Sequence, residues 1–190
     1  MSSSRPLRAP AGLAMWDALV VGAVALVLRL VFMAFSANTY DYDEFVLLQL
    51  AREVAGGALP YHDFMFFHPP GALLLLRALE PLTSWWWPAG RVLLALADSV
   101  TAVFVWMAGA TIWDRRAALA SGLLYSAMPL TLVSATRVGQ DPLITIVGFG
   151  GLLLLLRQPS VLAGATAGVL LGLAVWTKYP ALYFLPIYLL

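Results

Sequence analysis

The chain has 190 residues, of which 62% are hydrophobic and 11% charged, with a formal net charge of +1 and no cysteine. A soluble globular chain averages about 45–50% apolar and about 25% charged residues, so a soluble domain is excluded, and so is a disordered chain, which would be polar and charge-rich. The balance of charge leaves no basic footprint for nucleic acid, and the lack of cysteine removes disulfide scaffolds, thiolate metal sites and thiol nucleophiles.

The expected fold class is all-α, a polytopic membrane protein in which each span needs roughly 20 apolar residues. The first span covers about residues 15–35 and follows Arg5 and Arg8. A cleaved signal peptide competes with this reading, because Ala34, Phe35 and Ser36 resemble a weak cleavage site. Arg29 within the apolar stretch and the spans that follow argue against cleavage. The segment 37–89 is an outer loop rather than a simple linker. Between residues 37 and 90 stand six acids (Asp41, Asp43, Glu44, Glu53, Asp63 and Glu80) and both histidines. Within it, Tyr42 to Ala55 reads as a surface helix, with Gln49, Arg52, Glu53 and Gly56 on its polar side. Asp43 is expected at its N-cap and Gly56-Gly57 at its end. Gly71 to Leu82 reads as a second surface helix, and Trp85, Trp86 and Trp87 mark the membrane interface. Further spans are expected at about 90–112, 117–132, 142–156 and 161–176, with a sixth from 181 that is cut off at Leu190 inside an apolar run. That ending reads as the N-terminal part of a longer membrane protein. In the fifth span, Gly164, Gly168 and Gly172 recur every four residues, a pattern for close helix packing.

Basic residues divide equally between the two sides: Arg5, Arg8, Arg115, Arg116 and Arg157 on one, and Arg52, Arg77, Arg91, Arg137 and Lys178 on the other. The first group lies in short turns, which the positive-inside rule weights, so the N-terminus is expected in the cytoplasm. The loop 37–89, the polar stretch 134–141 and the turn Thr177-Lys178-Tyr179-Pro180 then share the outer face. Taken singly, each polar motif there fits a plain structural role. Asp43 and Glu44 suit a helix start, and His68 before Pro69-Pro70-Gly71 suits a rigid turn. Asp141 before Pro142 suits a cap, and Arg137 and Lys178 suit snorkelling to the interface. Their order along the chain is more informative than any one of them.

That order resembles the polytopic GT-C glycosyltransferases that use lipid-phosphate-linked sugars, the protein O-mannosyltransferases and the aminoarabinose transferases of lipid A in particular. In that superfamily the first span is followed by an Asp-Glu pair, here Asp43-Glu44 in Tyr40-Asp41-Tyr42-Asp43-Glu44-Phe45. A surface helix and a Gly-x-x-Pro-Tyr-x-Asp stretch come next, here Gly57, Pro60, Tyr61 and Asp63. Then come a Pro-Pro element at Pro69-Pro70, an Arg-x-x-x-Asp-Pro element from Arg137 to Pro142, and a Gly-Leu-Ala-x-x-Thr-Lys element from Gly172 to Lys178. The aminoarabinose-type enzymes carry a lysine just before Pro-Pro, where this chain has His68.

The resemblance implies a GT-C-like helix bundle in the plasma or inner membrane. It implies transfer of a sugar, with inversion, from a polyprenyl-phosphate donor to a protein or lipid acceptor on the extracytoplasmic side. Asp43 would be the general base with Glu44 supporting it, while His68, Arg137, Asp141 and Lys178 would contact substrate. No nucleotide cofactor is implied, and a divalent metal is left open, because members of the superfamily differ. Two readings compete: a transporter or lipid-handling protein without catalysis, for which Arg29 and Asp98 would also be suited, and a structural membrane subunit. Arg29 and Asp98 lie about seven and eight residues from the outer ends of their spans. At about 1.5 Å per residue both are roughly 10–12 Å deep, and an ion pair between spans one and two is expected.

Overall fold

The computed structural model describes residues 11–36, 41–83 and 88–189. Of these, 82% are helical and none forms a strand. The order is α1 (Ala11–Phe35), α2 (Tyr42–Ala55), α3 (Gly71–Thr83), α4 (Pro88–Ile112), α5 (Arg115–Ala127), α6 (Pro129–Ala135), α7 (Asp141–Arg157) and α8 (Val161–Thr177), then a 3₁₀ turn at Tyr179–Phe184 and α9 (Leu185–Tyr188). Met15–Phe35 within α1 and the whole of α4 are long and apolar enough to cross a membrane, and α5 with α6 makes a third candidate if that bent pair is one span. Helices α7 and α8, at 17 residues each, stand at the lower limit of about 17 for a span. The tryptophans at 85–87 lie outside the described residues.

Helix α4 is the centre, packing against α1, α5 and α7. Val21 and Ala25 of α1 meet Ala102 and Trp106 of α4 and Ala118 of α5 in one core. Small residues set the approach of α4 to α5: a Cβ added at Gly109 would sit 3.0 Å from Ala118 Cα. A second core joins Leu47, Ala51 and Val54 of α2 to Leu73 and Leu76 of α3, closed by Leu94 and Val138. Both helices of the 37–89 segment therefore form where the sequence places them. Gln49, Arg52 and Glu53 of α2, and Gly56 just after it, face outward. Gly57, with φ +101°, turns the chain out of α2 as expected; the Gly57 N–H bonds Val54 O and the Ala58 N–H bonds Glu53 O.

Three expectations are corrected. The span expected over 117–132 is broken at Met128 and bent by 56°. Pro129 follows, and a residue before proline is driven to extended backbone; Met128 has φ −66° and ψ 125°. The expected sixth span does not start as an α-helix. Lys178 is extended, and Tyr179–Phe184, with Pro180 in its first turn, winds as 3₁₀. The close packing expected at Gly164, Gly168 and Gly172 occurs elsewhere. Those glycines have no atom near them that a Cβ would meet, whereas Gly148 and Gly151 of α7 lie directly beneath the rings of Phe184 and Tyr188. Ala163, Ala167, Leu171 and Ala174 form the buried face of α8 instead.

The expected ion pair is present. Arg29 is fully buried and Asp98 is 2% exposed. Arg29 Nε donates to Asp98 Oδ2 at 2.7 Å, Nη2 donates to the same oxygen, and Nη1 donates to Ala25 O at 2.9 Å. Tyr125 of α5 donates its hydroxyl to Asp98 Oδ1 at 2.6 Å. Nearer the start of α1, Asp17 takes a two-pronged bond from Arg115, 2.7 Å on each prong. Helix α1 is thus fastened to the α4–α5 pair at two levels.

Removing one member of a buried pair strands the other charge, which costs about 3–5 kcal/mol. We expect Arg29→Leu and Asp98→Leu each to lower thermal stability by that order. The double variant should lose much less than the sum. Losses that simply add in a double-mutant cycle would mean that the pair is not coupled.

Candidate functional site

The site begins at the start of α2. A capping residue keeps extended backbone while its side chain accepts from an early helical N–H. Asp41 does this, not Asp43 as expected: its φ is −119° and ψ 113°, and its carboxylate accepts the Glu44 N–H at 3.2 Å. Asp41 is also paired with Arg137. Burial opposes ionisation of Asp41, but the Glu44 N–H and the Arg137 guanidinium outweigh it and hold the carboxyl below the usual carboxylate range.

Residues 43 and 44 of one helix point about 100° apart, and they meet different fates. Glu44 turns inward, 1% exposed. Arg91, also buried, donates Nε to Glu44 Oε1 at 2.8 Å and Nη2 to Glu44 Oε2, and the Val138 N–H donates to Oε1 at 2.8 Å. Asp43 is exposed and takes part in none of the six ion pairs among the described residues. Of the expected catalytic pair, Glu44 is structural in its bonds and Asp43 is open to solvent.

The loop after α2 is set by its own hydrogen bonds. Asp63 accepts the Leu59 N–H at 2.8 Å, and Tyr61, at φ +69°, donates its hydroxyl to the backbone oxygen of His68. The His68 ring stands edge-on to Phe66, centroids 5.8 Å apart. Gly71 then allows α3 to start against the end of α8: a Cβ there would lie 2.6 Å from Trp176 O. This close approach brings the Pro69-Pro70-Gly71 element to the Thr177-Lys178 element, although they are a hundred residues apart. Lys178 donates to Asp141 at 2.6 Å. Asp141 does not cap α7; its carboxylate serves Lys178 instead. Burial, and then the Lys178 ammonium, push the His68 imidazole below its ordinary value, with Asp141 and Asp43 pulling partly the other way.

Asp43, Glu44, His68, Arg137, Asp141 and Lys178 all line one cavity of about 440 Å³. Val46, Leu47, Leu50, Met65, Phe67, Leu130 and Val133 line it as well. Met65, Phe67 and Leu130 are 74%, 85% and 71% exposed, so the apolar part of the lining reaches the surface. The bend at Met128 matters here, because α6 delivers Leu130, Val133 and Ser134 to the rim. Among the described residues no three His, Asp or Glu side chains gather as a metal-ligating group.

The sequence reading missed Asp41, Arg91 and Gln140. Arg91 could have been found from Asp98: the two are seven residues apart on α4, hence on one face, and that face is inward. No family model, curated protein or solved structure matches this chain.

A histidine whose folded value is lowered resists protonation, while the unfolded chain takes up a proton near pH 6.5. Stability should therefore be full above about pH 6.5 and should fall as the pH drops below it, levelling once the lower folded value is passed. We expect His68→Gln to remove that part of the acid slope in a series of melting temperatures against pH. An unchanged slope would place the titration on another group.

Proposed function

We propose that this chain belongs to a membrane glycosyltransferase of the GT-C type, which transfers a sugar from a polyprenyl-phosphate donor to a protein or lipid acceptor with inversion. The observation that carries this reading is convergence. Six residues picked from the order of motifs, in segments from 43 to 178, border a single cavity. Its lining, charged and apolar together, suits a ligand with a charged head and a hydrocarbon tail, and its exposed apolar residues suit a ligand that arrives from the lipid. A multi-pass arrangement with a cytoplasmic N-terminus would set this cavity on the extracytoplasmic side.

The chemistry is a single displacement. The acceptor hydroxyl oxygen bonds to the anomeric carbon, the bond from that carbon to the phosphate oxygen breaks, and the hydroxyl proton passes to Asp43. Asp43 suits the base because it is the cavity carboxylate without a cation. Lys178 and Arg137 suit the departing phosphate, as an ammonium point charge and a planar fork. A donor already carried in the membrane is in keeping with the absence of a glycine-rich phosphate loop in the sequence. Arg29 and Asp98, which would serve a transport path, have Ala25 O, Tyr125 and each other as partners.

Asp43→Asn leaves the Asp41 cap untouched, so the protein should fold normally while transfer of a radiolabelled sugar falls by about 10²–10⁴-fold. Near-normal turnover would remove Asp43 from the mechanism.

The Lys178–Asp141 pair is partly exposed, at 23% and 48%, and such pairs contribute about 1 kcal/mol or less. Lys178→Ala should accordingly change stability little and weaken donor binding about tenfold, the order of one hydrogen bond to a charged group, with acceptor binding spared. Unchanged donor affinity in the folded variant would leave Lys178 a snorkelling residue.

A further inference from the structure

Gln140 stands on the turn that leads from Arg137 into α7, lines the cavity and is 6% exposed. Its side chain makes no capping bond to the helix it precedes. Its amide nitrogen is shut off from solvent and has no hydrogen-bond partner. Among the described residues Trp106 Nε1 is the other buried side-chain atom in that state, and it belongs to the packed α1–α4–α5 core. A buried amide left without a partner is costly, and a leucine of similar volume would fill the same space without that cost. Turning the amide about its last torsion exchanges nitrogen and oxygen, and the oxygen is not among the atoms shut off without a partner, so the turn gives the donor access that it lacks.

The neighbours of Gln140 define what it would meet. Arg137 and Lys178 border the same space, and each already holds a carboxylate, Asp41 and Asp141. An arriving phosphate must draw these cations from their partners. Gln140 breaks no bond in order to donate.

We propose that Gln140 is a ligand-positioning residue of this cavity, donating its amide N–H to a phosphate oxygen of the lipid-linked donor. The assignment rests on the reading of the cavity as a polyprenyl-phosphate site. Phosphate oxygens are common to that lipid and to free phosphate, and the test separates the two.

The test uses the full chain in nanodiscs, wild type and Gln140→Leu, with three probes: polyprenyl phosphate, the unphosphorylated polyprenol and inorganic phosphate. Ligand-free melting temperature is measured alongside binding. The expected result is a variant as stable as wild type or more so, with affinity for polyprenyl phosphate about tenfold lower and affinity for polyprenol unchanged. A purely structural glutamine would lower the melting temperature instead, and that result overturns the proposal. Equal affinity of wild type and variant for polyprenyl phosphate overturns it as well, while leaving the donor reading in place. If wild type fails to prefer polyprenyl phosphate over polyprenol, the donor reading falls and this assignment falls with it. A loss confined to inorganic phosphate keeps the contact with Gln140 but overturns the lipid as its source.

Discussion

A carboxylate and a guanidinium, both closed off from solvent, fix the position of three separate parts of the chain around the cavity. Glu44 belongs to α2, Arg91 to the first turn of α4, and the Val138 N–H that shares Glu44 Oε1 belongs to the stretch before α7. Charges this deep are tolerated only when their hydrogen bonds are filled. Here two guanidinium nitrogens and one backbone N–H fill the carboxylate. The roll of α2 follows. With Glu44 inward, Leu47, Ala51 and Val54 continue the same buried stripe onto α3. Asp43, one residue back, is then turned outward, and Asp41 is left at the helix start to take both the cap and Arg137. The separate fates of two adjacent acids thus come from one buried pair.

The parts of the fold that periodicity controls were legible in the sequence. The surface helices α2 and α3, the glycine exit at Gly57 and the long apolar helices α1 and α4 form where pattern and length place them. The Arg29–Asp98 pair was legible too, because depth along a helix can be counted at a fixed rise per residue. What could not be read was the roll and the bending of helices. Asp41 and Asp43 are both plausible caps by residue type, and the choice depends on where Glu44 points. The Gly164, Gly168 and Gly172 face has the right spacing, yet spacing does not say which face a neighbour meets. Gly148 and Gly151 receive the neighbouring rings because Lys178 is extended and the chain turns back over α7. The break at Met128 is a local rule that a hydropathy reading overrides: Pro129 stands in an apolar run and reads as more span. The candidate site was legible as a set of residues, although its closest contacts were not. Arg91 reads as one more cation at the outer end of the second span until Glu44 is known to be buried.

The ion pairs of the molecule divide by exposure, and the division matches the chemistry proposed for the cavity. Arg91 and Glu44 are 2% and 1% exposed, and Arg29 and Asp98 are 0% and 3% exposed in their side chains. Breaking either leaves a charge in a medium that cannot solvate it, so these pairs are fixed parts of the frame. Arg137 and Asp41 are 32% and 17% exposed, and Lys178 and Asp141 are 23% and 48% exposed. Water reaches these, their attraction is screened, and exchanging one anionic partner for another strands nothing. A cavity meant to receive a phosphate needs cations held in place while it is empty and yet free to change partner. Pairs buried as deeply as Glu44–Arg91 would hold them too firmly, and lone cations would repel one another and wander. Carboxylate partners at intermediate depth keep Arg137 and Lys178 in place along the cavity lining. A phosphate that took over those cations would leave Asp41 and Asp141 as carboxylates that water reaches, so the exchange would strand no charge.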